Sequence, residues 1–344
     1  MEFRGQKSKD KEKEKSSRLQ CLLDEVCALL NSGGGIMIIK ITNFDKFSFP
    51  LKKLDEYWSI FEEKLIPMIQ PSVYCDVFDR KINGNEVFLF VKAPNHLCTV
   101  RFNLFTRLET RALPATYDKV LNLLKEKKKS ANLPQVSLKD LPALPKKFRY
   151  QKVLPFHESK KIELKYYTSS NELLHEKNST HLEAFARNIS AFGNGSGGLI
   201  IFGVEDKTGK IYGQPMQKDS PKEVENRVVS IVQEMSKGWS FSPEKGVHWD
   251  INFFPVVGKE SNSVVVVKVA GMANLGGIFT KCPRCVELIL NGEKEIHRLN
   301  LREWKERMLQ DIQDDSKGVL ISTSLYSSIH SKHFTFSDWL QSPD

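Results

Sequence analysis

Three observations predict an α+β fold built from two related lobes. The chain says one thing twice. Residues 28–43 read Ala-Leu-Leu-Asn-Ser-Gly-Gly-Gly-Ile-Met-Ile-Ile-Lys-Ile-Thr-Asn, and residues 191–206 read Ala-Phe-Gly-Asn-Gly-Ser-Gly-Gly-Leu-Ile-Ile-Phe-Gly-Val-Glu-Asp. In both copies a stretch of helical periodicity runs into glycines and then into a short apolar run of strand character. A basic, proline-containing stretch separates the copies. Ala28 aligns with Ala191, Asn31 with Asn194, Gly34-Gly35 with Gly197-Gly198, and Asn43 with Asp206. Only the second copy ends in acids, which points to chemistry in the second lobe and none in the first.

The elements follow in order. Leu19, Leu22, Leu23, Val26, Ala28 and Leu30 mark one face of a helix that Asn31 to Gly35 stops, and Ile36 to Ile41 reads as a buried strand. Leu54, Tyr57, Trp58, Phe61 and Leu65 predict a helix over 51–66, ended by Pro67. Val73 to Asp79 and Glu86 to Lys92 read as strands around an Asn83-Gly84 turn, and a helix is expected over 115–129. The second lobe has a strand at 161–166 and a helix from Thr180 to Phe192. Thr180 is its expected cap, with Glu183 three residues on. A strand from Leu199 to Val204 turns through Lys207 to Lys210 into Ile211-Tyr212. There follow a helix over 221–237, strands Ile251 to Val256 and Val264 to Val269, a hairpin of Cys285 to Leu290 with Lys294 to Leu299, and a helix Arg302 to Leu309. The expected organisation is therefore a disordered, Lys/Glu-rich 1–17, a first lobe over 18–130, a linker over 131–150 carrying Pro134, Pro142 and Pro145, a second lobe over 151–310, and a surface tail over 311–344.

Composition excludes several classes of function. The 344 residues are 40% hydrophobic, enough for a core, and no stretch approaches the run of about 18 apolar residues that a membrane span needs. The N-terminus has no apolar segment of secretory type. Six scattered cysteines, Cys21, Cys27, Cys75, Cys98, Cys282 and Cys285, suit a reducing compartment, so a cytoplasmic or nuclear location is expected. No Walker A motif is present, so no nucleotide cofactor is expected; the glycines follow helices and precede strands, the reverse of a phosphate-cradling loop. The net charge is +9, and residues 101–150 alone hold twelve Lys/Arg against four Asp/Glu. Such a concentrated surplus favours a polyanionic partner. The plain alternative for Lys125 to Lys129 is a solvated helix end.

The candidate site joins Glu158, Glu163 and Asp206. Glu163 and Lys165 alternate with Ile162 and Leu164, so on a strand they share a face, and Asp206 ends the apolar strand after the second glycine run. If those strands are neighbours, three carboxylates converge and call for a hard divalent cation, Mg²⁺ or Mn²⁺, of the kind used in phosphodiester cleavage. Lys160, Lys161 and Lys165 would meet substrate phosphates. The alternative is that these acids are ordinary solvated surface, on a chain that is 27% charged. Cys282 and Cys285 have the spacing of a zinc knuckle, but a structural zinc needs four ligands, no second cysteine pair is near, and only His248 and His297 could complete it. Zinc is therefore not expected.

The segments Leu30 to Gly35, Glu158-Ser159, Ile162 to Lys165, Ala191-Phe192, Asn194, Gly197-Gly198, Gly203-Val204, Asp206-Lys207, and Leu299 with Arg302-Glu303-Trp304 together resemble the Schlafen family over roughly residues 19–310. The resemblance implies a horseshoe of two related lobes around a positive groove for base-paired RNA, in a short-form member or an N-terminal core. It implies that Glu158, Glu163 and Asp206 hold the metal and cut structured RNA such as tRNA or rRNA. It also implies that Lys125, Lys127, Lys128, Lys129, Lys146, Lys147 and Arg149, with Lys160, Lys161 and Lys165, hold the backbone. The alternative within the family is a non-cleaving tRNA-binding regulator of cell growth or immunity. The chain departs from the family at the usual zinc positions, which here read Gly238-Trp239-Ser240-Phe241 and Leu275-Gly276, and it is expected to lack the strand that precedes the first helix. The sequence does not fix an oligomeric state.

Overall fold

A computed structural model describes residues 19–40, 58–64, 78–84, 86–94, 96–125, 133–145, 147–167, 174, 179–216, 221–290, 294–315 and 329–332. The chain begins with helix α1 (19–31), strand β1 (Gly35–Lys40), helix α2 (58–64) and the hairpin β2 (Phe78–Asn83) and β3 (Glu86–Val91). It continues through β4 (Phe105–Leu108), β5 (Arg111–Pro114), α3 (Tyr117–Lys125), β6 (Phe148–Arg149), β7 (Ile162–Lys165), α4 (Ser179–Gly193), β8 (Gly198–Phe202), β9 (Gln214–Pro215), α5 (Pro221–Ser236), β10 (Trp249–Val257) and β11 (Asn262–Val269). It closes with β12 (Val286–Leu290), β13 (Lys294–Arg298), α6 (Leu301–Asp315) and β14 (Ile329–Lys332). The fold class is α+β, as expected.

The chain divides into two compact units, but not into consecutive halves. Unit 1 holds Met1–Arg101 with Pro283–Asp344, and unit 2 is the single run Phe102–Cys282. Residues 102–130, expected in the first lobe, thus belong to unit 2, and residues 283–310, expected in the second, belong to unit 1. The reason is visible in the packing of each.

In unit 1 the sheet order is β14-β1-β3-β2. Burial alternates along β1 and β3, so Met37, Ile39, Val87, Leu89 and Val91 turn to one face. Leu23, Val26, Cys27 and Leu30, spaced for one side of α1, pack against them, and Val286 from the returning chain joins the same core. The segment after Pro283 is thus part of the first core. The outer edge of β1 is taken by β14, which runs parallel to it in the register Ile36↔Ile329 to Ile39↔Lys332. Nothing in the periodicity announced that strand. Lys127, Lys128, Lys129, Lys146, Cys75, Asn43 and the tail from Thr335 lie outside the described residues, as do most of the 51–66 helix and the strand expected from Val73.

In unit 2 the order is β6-β10-β11-β8-β7, with β9 on β11. β8 is buried throughout and β11 nearly so, because layers cover both faces of this sheet. Ile200, Phe202, Val265, Val267 and Val269 meet α4 and α5 through Phe185, Ile189, Phe192, Val224, Val228 and Val232. Leu199, Ile201, Val264 and Val266 meet Leu141, Phe148, Leu154, Ile162 and Leu164. The described residues of the expected linker, 133–145 and 147–150, therefore belong with that second layer. Phe148 is fully buried, Val136 bridges Gly271, and Ser137 with Asp140 forms a capping box on a short 3₁₀ turn over Leu138–Asp140. Its prolines punctuate a packed segment, which is why composition alone suggested a linker. Thr180 lies inside α4, one residue past its first, and does not cap it.

The repeated motif is built the same way in both units. α1 leads through Asn31 and Gly34 into β1, which pairs with β3 from Gly35↔Val91 onward. α4 leads through Asn194 and Gly197 into β8, which pairs with β11 up to Gly198↔Val269. Gly34 (φ +86°) and Gly197 (φ +72°) sit in the left-handed region, where a Cβ would stand 2.5 Å from the Val91 carbonyl oxygen or 2.8 Å from that of Val269. Close approach of backbone to backbone is what the glycines provide. The asparagines act as clamps. Asn31 donates to the carbonyls of Cys98 (3.0 Å) and Val286 (2.8 Å) and accepts from the Cys98 N–H (2.8 Å). Asn194 donates to the carbonyls of Phe105 (3.0 Å) and Ile278 (3.0 Å) and accepts from the Ile278 N–H (2.8 Å).

Candidate functional site

The strand carrying Glu163 and Lys165 is where unit 2 concentrates charge. β7 pairs parallel with β8, Glu163 opposite Ile200 and Lys165 opposite Phe202, so the two strands are neighbours. Glu163 is buried. Its Oε1 is 2.7 Å from Lys165 Nζ and its Oε2 is 2.6 Å from Arg107 Nη2. The latter contact lies off the hydrogen-bond direction, leaving Oε2 without an aligned donor among the described residues. Arg107, on β4, is 4% exposed in its side chain and is itself fixed on four sides. It donates to Asn188 Oδ1 (3.0 Å) and to the carbonyls of Ser159 (3.2 Å) and Ile162 (3.1 Å), and its guanidinium lies 4.7 Å from the Phe192 ring centroid. Sequence reasoning missed Arg107. Its signal was faint, a lone arginine in a short alternating strand.

Glu158 reaches the same place from the preceding turn. Its Oε1 accepts from the Leu164 N–H (3.1 Å) and lies 3.9 Å from Lys165 Nζ. Burial, opposed by that N–H, and the nearby Glu163 charge raise its carboxyl above the ordinary carboxylate value of 4.5. The folded state therefore binds a proton more readily than the unfolded one, so ionised Glu158 costs stability at pH above its folded pKa. That cost is relieved as pH falls through it. Glu158→Gln keeps the acceptor for Leu164 and is expected to raise the midpoint of thermal unfolding by roughly 1–2 °C at pH 7.5. The gain should vanish as the pH approaches 4.5. Scanning calorimetry of both proteins across pH checks it; a gain that grows with acidification would contradict the assignment.

Asp206 is elsewhere. It is exposed at the tip of the hairpin after β8, where its Oδ1 accepts the N–H of Lys207 (2.9 Å). The structure thus brings Glu158 and Glu163 together through Lys165 and does not bring Asp206 to them. Among the described residues no group of three or more His, Cys, Asp or Glu side chains is placed to hold a metal ion. As built, the residues do not fit Mg²⁺ or Mn²⁺: both oxygens of Glu163 face cationic side chains, and Lys165 stands where a divalent ion shared with Glu158 would be. Of the expected phosphate contacts, Lys125, Lys147, Arg149 and Lys160 are exposed, and Lys161 is half-buried.

The two zinc-spaced cysteines part company. Cys282 belongs to unit 2, where its carbonyl accepts from Asn103 (2.8 Å). Cys285 is buried in unit 1, its Sγ 3.2 Å from the Cys98 carbonyl oxygen. Hydrogen bonding to Cys27 and burial hold its thiol far above the ordinary range, so it stays protonated. His248 is spent locally, its Nδ1 accepting from the Glu244 N–H (3.0 Å).

Comparison with known proteins bears on the same segment. Residues 158–274, from Glu158 through the sheet and helices of unit 2, match the family profile described as Schlafen, AlbA_2. The chain is also similar to the Poxin-Schlafen protein of Cowpox virus (strain Brighton Red), with 24% identity over 271 residues, 72% of this chain and 51% of that protein. The chain therefore spans about half the length of that relative.

Proposed function

We propose that the chain, whose residues 158–274 match the Schlafen, AlbA_2 family profile, is a Schlafen-type protein that binds structured RNA, tRNA foremost. The observation that carries the reading is the basic surplus of residues 101–150 together with the exposure of Lys125, Lys147 and Arg149 in the unit that holds the family segment. Lysine and arginine at a surface neutralise phosphates and release counterions, a contribution blind to sequence. The horseshoe with a positive groove belongs to this proposal, as do a cytoplasmic or nuclear setting and a role in growth control or immunity. No helix among the described residues is long and apolar enough to cross a membrane.

The affinity for tRNA should fall steeply as salt is raised from 50 to 200 mM, by about tenfold or more. Lys147→Glu with Arg149→Glu should weaken binding about tenfold at low salt and flatten the salt dependence. Filter binding across a salt series measures both. A flat dependence, or selection of one short sequence, counts against the reading.

A second reading is metal-dependent endoribonuclease activity. It is favoured by the approach of Glu158 to Glu163 with a raised carboxyl, the arrangement that a cation would relieve. It requires Lys165 to withdraw and Asp206 to approach. Total tRNA incubated with and without Mn²⁺ tests it: cleavage only with metal, lost in Asp206→Ala while RNA affinity is kept, supports cleavage. Intact RNA in both lanes leaves binding alone.

A further inference from the structure

We propose that Tyr150, Tyr166 and Tyr212 form a stacking platform for unpaired nucleotides of the RNA, on the part of unit 2 that carries Asp206. The inference rests on the RNA-binding reading above and names which part of an RNA this surface takes. The Tyr212 ring lies between the other two. Its centroid is 5.1 Å from that of Tyr166, with planes at 35°, and 6.0 Å from that of Tyr150, at 75°. All three rings are half-exposed, and no hydrogen bond joins their hydroxyls to protein groups among the described residues. Lys259 Nζ lies 4.9 Å from the Tyr150 ring centroid.

Backbone pairing fixes the cluster. The Gln151 N–H donates to the Ile211 carbonyl (2.7 Å), the Ile211 N–H to that of Lys152 (2.9 Å), and the Tyr150 N–H to that of Val257 (3.0 Å). Tyr166 directly follows Lys165, whose carbonyl accepts the Gly203 N–H (2.8 Å). The same segments expose Val153 (56%) and Val257 (50%), and they carry the exposed cations Arg149, Lys152 and Lys210. The acids among them are partly engaged: Glu205 accepts from Thr208, and Glu260 from the Gly258 N–H (3.3 Å).

Tyr150 packs with one side on the core that holds the fully buried Phe148 and Val256, whereas Tyr166 and Tyr212 are not among the side chains that line that core, so sealing it does not account for them. Rings set among lysines and arginines suit a single strand, whose bases offer flat faces to stack while its phosphates meet the cations. An A-form duplex hides those faces, so the platform would select loops, ends and bulges of a structured RNA.

The test uses the full chain with two probes, a single-stranded oligouridine and a blunt RNA duplex of equal length, read by fluorescence anisotropy. The wild type should bind both. Tyr166→Leu with Tyr212→Leu should lower affinity for the single strand about tenfold or more and leave duplex affinity unchanged, while Tyr166→Phe with Tyr212→Phe should bind as the wild type. Equal single-strand affinity in the leucine variant and the wild type overturns the platform and leaves RNA binding standing. Failure of the wild type to bind either probe overturns the RNA reading itself. If the leucine variant does not fold, ultraviolet crosslinking of the wild type to 4-thiouridine RNA decides. Adducts on the peptides holding Tyr150, Tyr166 or Tyr212 support the platform, and adducts confined elsewhere overturn it.

Discussion

Replacing Arg107 with alanine is expected to destabilise unit 2 by about 3–5 kcal/mol. The guanidinium is almost wholly buried and faces the buried carboxylate of Glu163, the Asn188 amide, two backbone carbonyls and the Phe192 ring. Alanine leaves the buried Glu163 carboxylate with Lys165 alone of its two ion-pair partners, removes one donor each from the Asn188 amide oxygen and the Ser159 and Ile162 carbonyls, and opens a void against Phe192. Arg107→Met combined with Glu163→Leu removes both charges while keeping most of the volume. That pair should recover much of the lost stability, because breaking a buried ion pair costs more than replacing it. Urea denaturation followed by the fluorescence of Trp239 and Trp249, both buried in unit 2, measures the set. A loss below about 1 kcal/mol for the alanine variant would mean that water reaches the pair freely.

The second large effect is expected at Asn194. Alanine there strands the carbonyl of Phe105 and the Ile278 N–H inside the protein and leaves the Ile278 carbonyl with the Ser190 hydroxyl alone, at a cost of about 2–4 kcal/mol. Aspartate should be little better, since it keeps the acceptor and loses both donors. Asn31→Ala should cost unit 1 a similar amount through Cys98 and Val286. Hydrogen exchange separates the two. Asn194→Ala should speed exchange in β8 and β11 and spare β1 and β3, and Asn31→Ala the reverse. Uniform acceleration across both units in either variant would count against separate clamps.

These two residues also show what a sequence yields and what it withholds. Asn31 and Asn194 stood out as matching positions in a repeat, and the helices, glycines and strands around them follow from periodicity and backbone freedom, which are local properties. What the amides hold could not be read, because their partners lie 67 to 255 residues away along the chain. Arg107 was invisible for the same reason. The Glu163 and Lys165 alternation was legible, and β7 does lie beside β8, but alternation does not say which cation comes back to which acid. Asp206 was assigned to the site by its place at the end of a strand. A hairpin tip carries it into solvent instead. The stretch 131–150 misled through its prolines, since composition registers where a chain bends and not whether Phe148 is covered.

The division of the chain has a consequence for its synthesis. Unit 2 is one uninterrupted run, so it can form as soon as its last residues leave the ribosome. Unit 1 cannot, because its core needs Val286 and the edge of β1 is matched by residues 329–332. At about 5–20 residues per second, the first 101 residues wait on the order of 10 to 50 seconds for their partners. Through that interval the place of Val286 in the core and the β14 edge of β1 stand open, and the nascent chain is at its most exposed to chaperones or to aggregation. The later-made segment thus finishes the earlier-made unit, and truncation after residue 282 should yield a folded unit 2 carrying an incomplete, destabilised unit 1.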